Sequence, residues 1–146
     1  MKRFLKHICL LLSLVMVFSI PAYAVEAGNT RASNYFASSA VYLYKTSSTG
    51  FQAWFDVTCV RTMDKVGAKE IKIQQSSDNE NWTTVATYSM DDYYSTFIRE
   101  NNFSHVGCVN YTGTSGYYYR AFYRLYAKDE TGTATWSRYS SSIYIS

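Results

Sequence analysis

Residues 51–60 read FQAWFDVTCV, and the alternation in this stretch decides the fold class. Phe51, Ala53, Phe55, Val57 and Cys59 make an apolar row, and Gln52, Asp56 and Thr58 fall between them. A repeat of two sends successive side chains to opposite faces of a strand, whereas a helix needs apolar residues every three to four positions. Ile71 and Ile73 alternate with Lys72 and Gln74 in the same way. The segment SSDNENW (76–82) then supplies turn formers, with Asn79 suited to a left-handed backbone position, before WTTVATY (82–88) runs back. Together they predict a hairpin.

Working outward, glycine punctuates further strand-like runs: Gly50, Gly67, Gly113, Gly116 and Gly132 each stand before one. The pattern predicts strands at 36–46, 51–61, 69–76, 82–89, 103–111, 117–128 and 134–145. TMDKVG (62–67) has the composition of a short helical turn, and SMDDYYSTFIRENN (89–102) reads as a loop that holds a short strand or forms a mobile lid. Seven strands and almost no helix predict an all-β fold, a two-layer antiparallel β-sandwich.

At the N-terminus, Lys2, Arg3 and Lys6 precede an apolar run from Ile8 to Ile20, followed by Pro21 and a small-residue site ending at Ala24. This is the pattern of a secretory signal peptide, and the run is too short to span a hydrocarbon layer of about 30 Å as a helix. The expected organisation is therefore a signal peptide at 1–24, a flexible segment at 25–35 and one domain at 36–146, secreted and with no membrane attachment after cleavage. Those three leader cations are the whole formal excess of 14 basic over 11 acidic residues, so the exported chain is formally neutral. A nucleic-acid binder usually carries a basic stripe that releases counterions from phosphates, and on that ground nucleic acid is not an expected partner.

Two segments carry a resemblance. IKIQQSSDNENWTTV (71–85) is similar to the C to C′ hairpin of fibronectin type III modules, and YTGTSGYYYRA (111–121) resembles their passage from strand E into strand F. In that alignment Tyr111 takes the place of the family's leucine, Gly113 of its proline, Ser115 of its threonine, and Tyr117 that of the tyrosine-corner residue. The resemblance implies a fibronectin type III-like sandwich. The leader, the Thr62–Gln74 segment and the Gly116–Ala121 strand also resemble a group of small secreted proteins from Gram-positive bacteria. That likeness implies fold and compartment and transfers no site residues.

No catalytic or metal-binding constellation emerges, and no cofactor is implied. Beyond the leader the chain holds one histidine, His105, too few for a histidine-rich metal site. His105 and Cys108 are three residues apart, so on a strand they point to opposite faces and cannot act as base and nucleophile; the histidine reads as a surface residue. Asp91 and Asp92 are adjacent acids in a polar loop with no spaced calcium pattern, and read as solvated carboxylates. Export permits a disulfide between Cys59 and Cys108. Strand parity argues against it by turning Cys59 inward and Cys108 outward, unless Gly107 introduces a bulge. Asn81, Asn102 and Asn110 each begin an N-x-Ser/Thr sequence, which carries meaning only in a host that glycosylates it.

The stretch GYYYRAFYRLYA (116–127) supplies the candidate surface. If Tyr117, Tyr119, Ala121, Tyr123, Leu125 and Ala127 face inward, then Tyr118, Arg120, Phe122, Arg124, Tyr126 and Lys128 face outward, joined in a fibronectin-like topology by Lys72 and Gln74. Aromatic faces stack on sugar rings or anchor protein partners, and arginine lies over them as a cation on a ring quadrupole. The same residues also pair across strands simply to stabilise a sheet. Trp54 and Trp136 are secondary candidates. The expected function is a non-enzymatic module that binds a protein or a cell-surface glycan. The alternatives are a secreted antibacterial or colonisation effector working through the Asp91–Asp92 loop, and a small carboxylate-dependent hydrolase.

Overall fold

The computed structural model describes residues 34–146. The expected signal peptide and most of the expected 25–35 segment lie outside the described residues. Tyr35, the last residue of that segment, is buried: its hydroxyl donates to Asp129 Oδ1 at 3.1 Å and lies 3.0 Å from the Thr131 hydroxyl.

The chain forms β1 (Phe36–Lys45), β2 (Gly50–Ser76), β3 (Thr83–Ser89), α1 (Tyr94–Phe97), β4 (Ile98–Thr112), β5 (Tyr117–Asp129), β6 (Gly132–Tyr139) and β7 (Ile143–Ile145). The fold is all-β, a curled antiparallel sheet of seven strands. Its organiser is β2, 27 residues long. The first half of β2 pairs with β1 on one side, from Lys45 opposite Phe51 to Phe36 opposite Cys59, and with the second half of β4 on the other. The second half pairs with β5, from Lys65 opposite Lys128 to Ser76 opposite Tyr118. Its far side takes the start of β4 and then β3.

This corrects the expected break at 62–67. TMDKVG is not a helical turn but the middle of β2, because the backbone finds partners on both sides: Asn102 to Ile98 of β4, and Lys128 to Tyr126 of β5. Residues 59–62 oppose Phe103 alone, between the pairs Thr58–Ser104 and Met63–Asn102. That mismatch marks the passage from one half of the sheet to the other, with Asn101 beside it at φ 49°. A second bulge between Ala68 and Glu70 moves the inward parity from Val66 and Ala68 to Ile71 and Ile73, all fully buried.

Of the two readings of 89–102 the strand is present, as the start of β4, with a short helix before it. The segment turns through α1 and drives Phe97 into the core, edge-on to Phe55 at 6.1 Å, before β4 begins at Ile98. Two glycines let it lie so close. A Cβ on Gly67 would stand 1.8 Å from the Phe97 carbonyl oxygen, and one on Gly107 would stand 2.4 Å from that of Thr96 and 2.6 Å from Phe55 Cζ. The hairpin at 76–82 forms as expected. Asn79 has φ 61°, and Asp78 Oδ1 accepts from the backbone N–H groups of Glu80 and Asn81 at 2.9 and 2.8 Å.

The expected strand at 134–145 is split. At its centre Ser140 is buried, its N–H donates to the Ala121 carbonyl at 2.9 Å and its hydroxyl accepts the Ala121 N–H at 2.9 Å. A side chain thus takes one place in the ladder between β6 and β7, which both pair with β5. Tyr119, not Tyr117, bonds back to the preceding turn: its hydroxyl accepts the Thr114 N–H at 2.7 Å, and its ring lies 2.8 Å from where a Gly113 Cβ would be. Tyr117 is exposed at the strand's start, so it is not the inward, hydrogen-bonded residue that the alignment implies.

Replacing Gly67 with alanine combines a backbone angle of +153° with a collision against backbone atoms that cannot swing away. It is expected to lower stability by about 3 kcal/mol or more. Gly116 at φ +89° has open space around it, so Gly116→Ala is expected to cost about 1–2 kcal/mol of backbone strain alone. Urea midpoints of the two variants, compared at constant m-value, check the ordering.

Candidate functional site

Along β5, Tyr119, Ala121, Tyr123, Leu125 and Ala127 are buried, while Tyr118, Arg120, Phe122, Arg124 and Tyr126 are half-buried and Lys128 is exposed. The outward set therefore lies on one face as parity predicts, and the sheet register sets what stands beside it. Lys72 lies opposite Phe122 and Gln74 opposite Arg120, so the expected neighbours from β2 are present.

Arg120 is the most constrained member. Its guanidinium carbon stands 4.4 Å from the Trp82 ring centroid and 4.7 Å from that of Tyr139, and its Nε donates to Gln74 Oε1 at 2.8 Å. Each ring attracts the cation through its quadrupole, and together with Gln74 they hold the guanidinium on the face. Phe122 packs on Tyr139 at 5.0 Å, and Tyr118 on Tyr144 at 4.9 Å. Arg124 lies opposite Glu70, whose Oε1 is 3.9 Å from the guanidinium and 3.3 Å from Lys72 Nζ. That oxygen is shielded from water and accepts no hydrogen bond, so the two cations are what offset its desolvation. Tyr126 and Lys128 continue the face opposite Gly67 and Lys65. There Lys65 sits 5.1 Å over the Tyr94 ring and 3.8 Å from Glu100, whose carboxylate also accepts the Tyr94 hydroxyl at 2.6 Å.

Three rings of this surface, Trp82, Tyr139 and Tyr144, are missing from the sequence-based set. Tyr139 of β6 and Tyr144 of β7 reach β5 through cross-strand pairing, opposite Phe122 and Tyr118, and Trp82, just before β3, meets it through the Arg120 guanidinium. Finding them needs the registers of β6 and β7 on β5 for the two tyrosines and that of the β2–β3 hairpin for Trp82.

Trp54 does not join this face. It lies opposite Tyr42 on β1 and Cys108 on β4, parallel to the Tyr42 ring at 6.3 Å. Its Nε1 donates to Gln52 Oε1 at 2.9 Å, and Gln52 Nε2 donates on to Asn110. Trp136 turns inward against Phe36 at 5.7 Å, with the Arg138 guanidinium 3.8 Å from its ring.

The proposed disulfide is absent: Cys59 and Cys108 are free thiols. Cys108 pairs with Trp54, five residues along β2 from Cys59, which corresponds to about 17 Å of strand with the two thiols on opposite faces. The register runs unbroken through Gly107 opposite Phe55, so no bulge reverses the parity. Burial pushes the Cys59 thiol up to about 11 against the pull of Arg61, and raises Cys108 as well.

His105 is turned inward rather than onto the surface, with Nε2 2.9 Å from the Thr96 carbonyl and its ring edge-on to Phe55 at 5.6 Å. Burial lowers its pKa, the Thr96 carbonyl opposes this and the Arg99 charge adds to it. Asp91 and Asp92 are exposed in the turn after β3, where the Ser89 hydroxyl caps the Asp91 N–H and donates to Asp92. Among the described residues no three histidine, cysteine or acidic side chains gather as metal ligands, and no helix is long and apolar enough to cross a membrane.

No protein-family model matches this chain, and no curated protein matches it. Among solved structures it is similar to Spo0M, a sporulation control protein from Bacillus subtilis, with a TM-score of 0.41 and 10% identity over 70% of this chain and 47% of that one. The chain spans about half the length of that protein.

Two outcomes follow from the buried groups. A histidine whose folded pKa is depressed favours the fold when neutral, so its contribution is complete above the unfolded value of about 6.5 and is lost as pH falls below it. Stability is expected to decline from about pH 7 to pH 5, and His105→Gln to flatten that slope in urea titrations at each pH. Thiol labelling is expected to modify Cys108 in the native protein and Cys59 only after unfolding, as peptide mass mapping would show.

Proposed function

We propose that this chain is a secreted, non-enzymatic, fibronectin type III-like sandwich module that binds a protein or a cell-surface glycan through the outer face of β5. The strand pairing supports the fold reading. β1, the first half of β2 and β4 form one group, and β6, β5, the second half of β2 and β3 form the other. Read as strands A, B, E and G, F, C, C′, the two groups correspond to the strand sets of an immunoglobulin-like sandwich, with B and C fused into one strand, and this correspondence supports the reading. The Tyr119 hydroxyl tied to the Thr114 N–H supports it further, as the tie that opens strand F. Export is supported by the N-terminal pattern of cations, apolar run and small-residue site.

One observation carries the binding reading: Arg120 held between Trp82 and Tyr139, continuous with Phe122 and with the Tyr118–Tyr144 pair on one solvent-facing surface. A sheet needs cross-strand pairs, but it does not need this many rings on the side away from its core. Tyr139 is 55% exposed and Tyr144 45%, so the surface offers ring area that the fold leaves in water. Rigid aromatics with few rotatable bonds bind at low entropic cost, and arginine adds directional donors.

The test is the triple variant Tyr118→Ser, Phe122→Ser, Tyr126→Ser, assayed for retention on cell surfaces and glycan arrays. Retention is expected to fall by about tenfold or more, with far-ultraviolet circular dichroism unchanged. A variant that is retained like the parent would sink the reading.

A further inference from the structure

Charge is distributed unevenly over a neutral domain. Residues 34–146 carry ten lysines and arginines and ten aspartates and glutamates. Five of those cations, Lys65, Lys72, Arg120, Arg124 and Lys128, occupy strand positions on the outer face of β2 and β5, with two carboxylates, Glu70 of β2 and Glu100 of β4, the latter opposite Lys65. The face is therefore +3 and the rest of the domain −3. Five positive groups on one side of a neutral chain are kept close together against their mutual repulsion, and they favour an anionic ligand over a neutral one.

The same face repeats itself. Tyr118 with Arg120, Phe122 with Arg124, and Tyr126 with Lys128 are three ring-and-cation pairs on alternate positions of one strand. They recur every four residues, about 13 Å apart. A globular partner has no reason to match a translational repeat, whereas a linear polymer with ring faces and regularly spaced anionic groups does. Planar guanidinium forks match carboxylates in particular, and two of the three cations along β5 are arginines.

From the charge and the repeat together, we infer that the ligand of the β5 face is a linear carboxylated polysaccharide lying along the strand. This rests on the binding-module reading and names its ligand class. Sugar rings stack on Tyr118, Phe122 and Tyr126, and the carboxylates meet Arg120, Arg124 and Lys128.

Affinity electrophoresis of the purified protein through gels containing polygalacturonate, dextran or no polymer tests it. Polygalacturonate is expected to retard the protein and dextran to leave it unretarded, with the apparent affinity falling by about tenfold or more between about 50 and about 200 mM salt. Arg124→Gln with Lys128→Gln is expected to weaken retardation by about tenfold per cation removed. Lys128→Glu, at an exposed position outside the Glu70 contacts, is expected to weaken it without touching the fold. Equal retardation by dextran, retardation that ignores salt and both charge variants, or binding to poly-L-glutamate in place of polygalacturonate would each overturn the inference. If polygalacturonate fails while the triple serine variant still loses cell-surface retention, the module reading stands and the ligand class falls. If the serine variant is retained like the parent, the module reading itself falls.

Discussion

Both halves of the sheet hang on one uninterrupted strand. β2 supplies the centre of the β1–β2–β4 group and then the β5 partner in the second group, so the two halves cannot separate without breaking the ladder of a single segment. Continuity of this kind demands a place where the strand turns from one group to the other. The chain provides it with residues 59–62 set against Phe103, and with Gly67, whose missing side chain admits the Phe97 carbonyl. Phe97 then packs on Phe55, and the buried residues Phe51, Phe55, Val57, Ile71, Ile73, Tyr119, Tyr123 and Leu125 come from both groups. The Tyr123 hydroxyl, reaching the Tyr42 carbonyl at 3.2 Å, is a further tie between β5 and β1.

The parts of this fold governed by local alternation were legible in the sequence. Phe51 to Cys59 and Tyr119 to Ala127 face inward as their period of two requires, and Asn79 takes the left-handed angle its turn calls for. The errors lie where distant pairing decides. Residues 62–67 become strand because β4 begins at Ile98, inside a segment whose sequence has no clear alternation, and because β5 ends alongside them. Joining two expected strands into β2 and splitting another at Ser140 leaves the count at seven by compensation, so the right number conceals two wrong boundaries. The same limit applied to the surface. One strand's parity separated Tyr118, Phe122 and Tyr126 from the core, but it could not supply Trp82, Tyr139 and Tyr144, whose place depends on register.

The electrostatics of the domain are local in character. Asp78 and Asp129 are each held well below the ordinary carboxylate range. The main cause for Asp78 is the Asn81 backbone N–H, and for Asp129 the Thr131 hydroxyl at 2.6 Å. Asp129 also takes Tyr35 and Arg61, which ties the beginning of the described chain to the β5–β6 turn. These two carboxylates are committed to turns, whereas the cations of β5 and β2 stand on open sheet. The opposing assignments leave a domain of zero formal charge with a directional field.

The seryl interruption between β6 and β7 bears on how such a chain stays separate from its neighbours. Beyond Pro21 the sequence contains no proline, the residue that most often blunts a sheet edge. β6 and β7 lie on the flank of β5 opposite β2, where a long, flat, tyrosine-bearing strand would offer a template for another chain. Because Ser140 answers Ala121 with both its backbone and its hydroxyl, the edge is divided into one strand of eight residues and another of three. A neighbouring strand would therefore find an edge whose two pieces are separated at residues 140–142, and short or broken edges are poor templates for pairing.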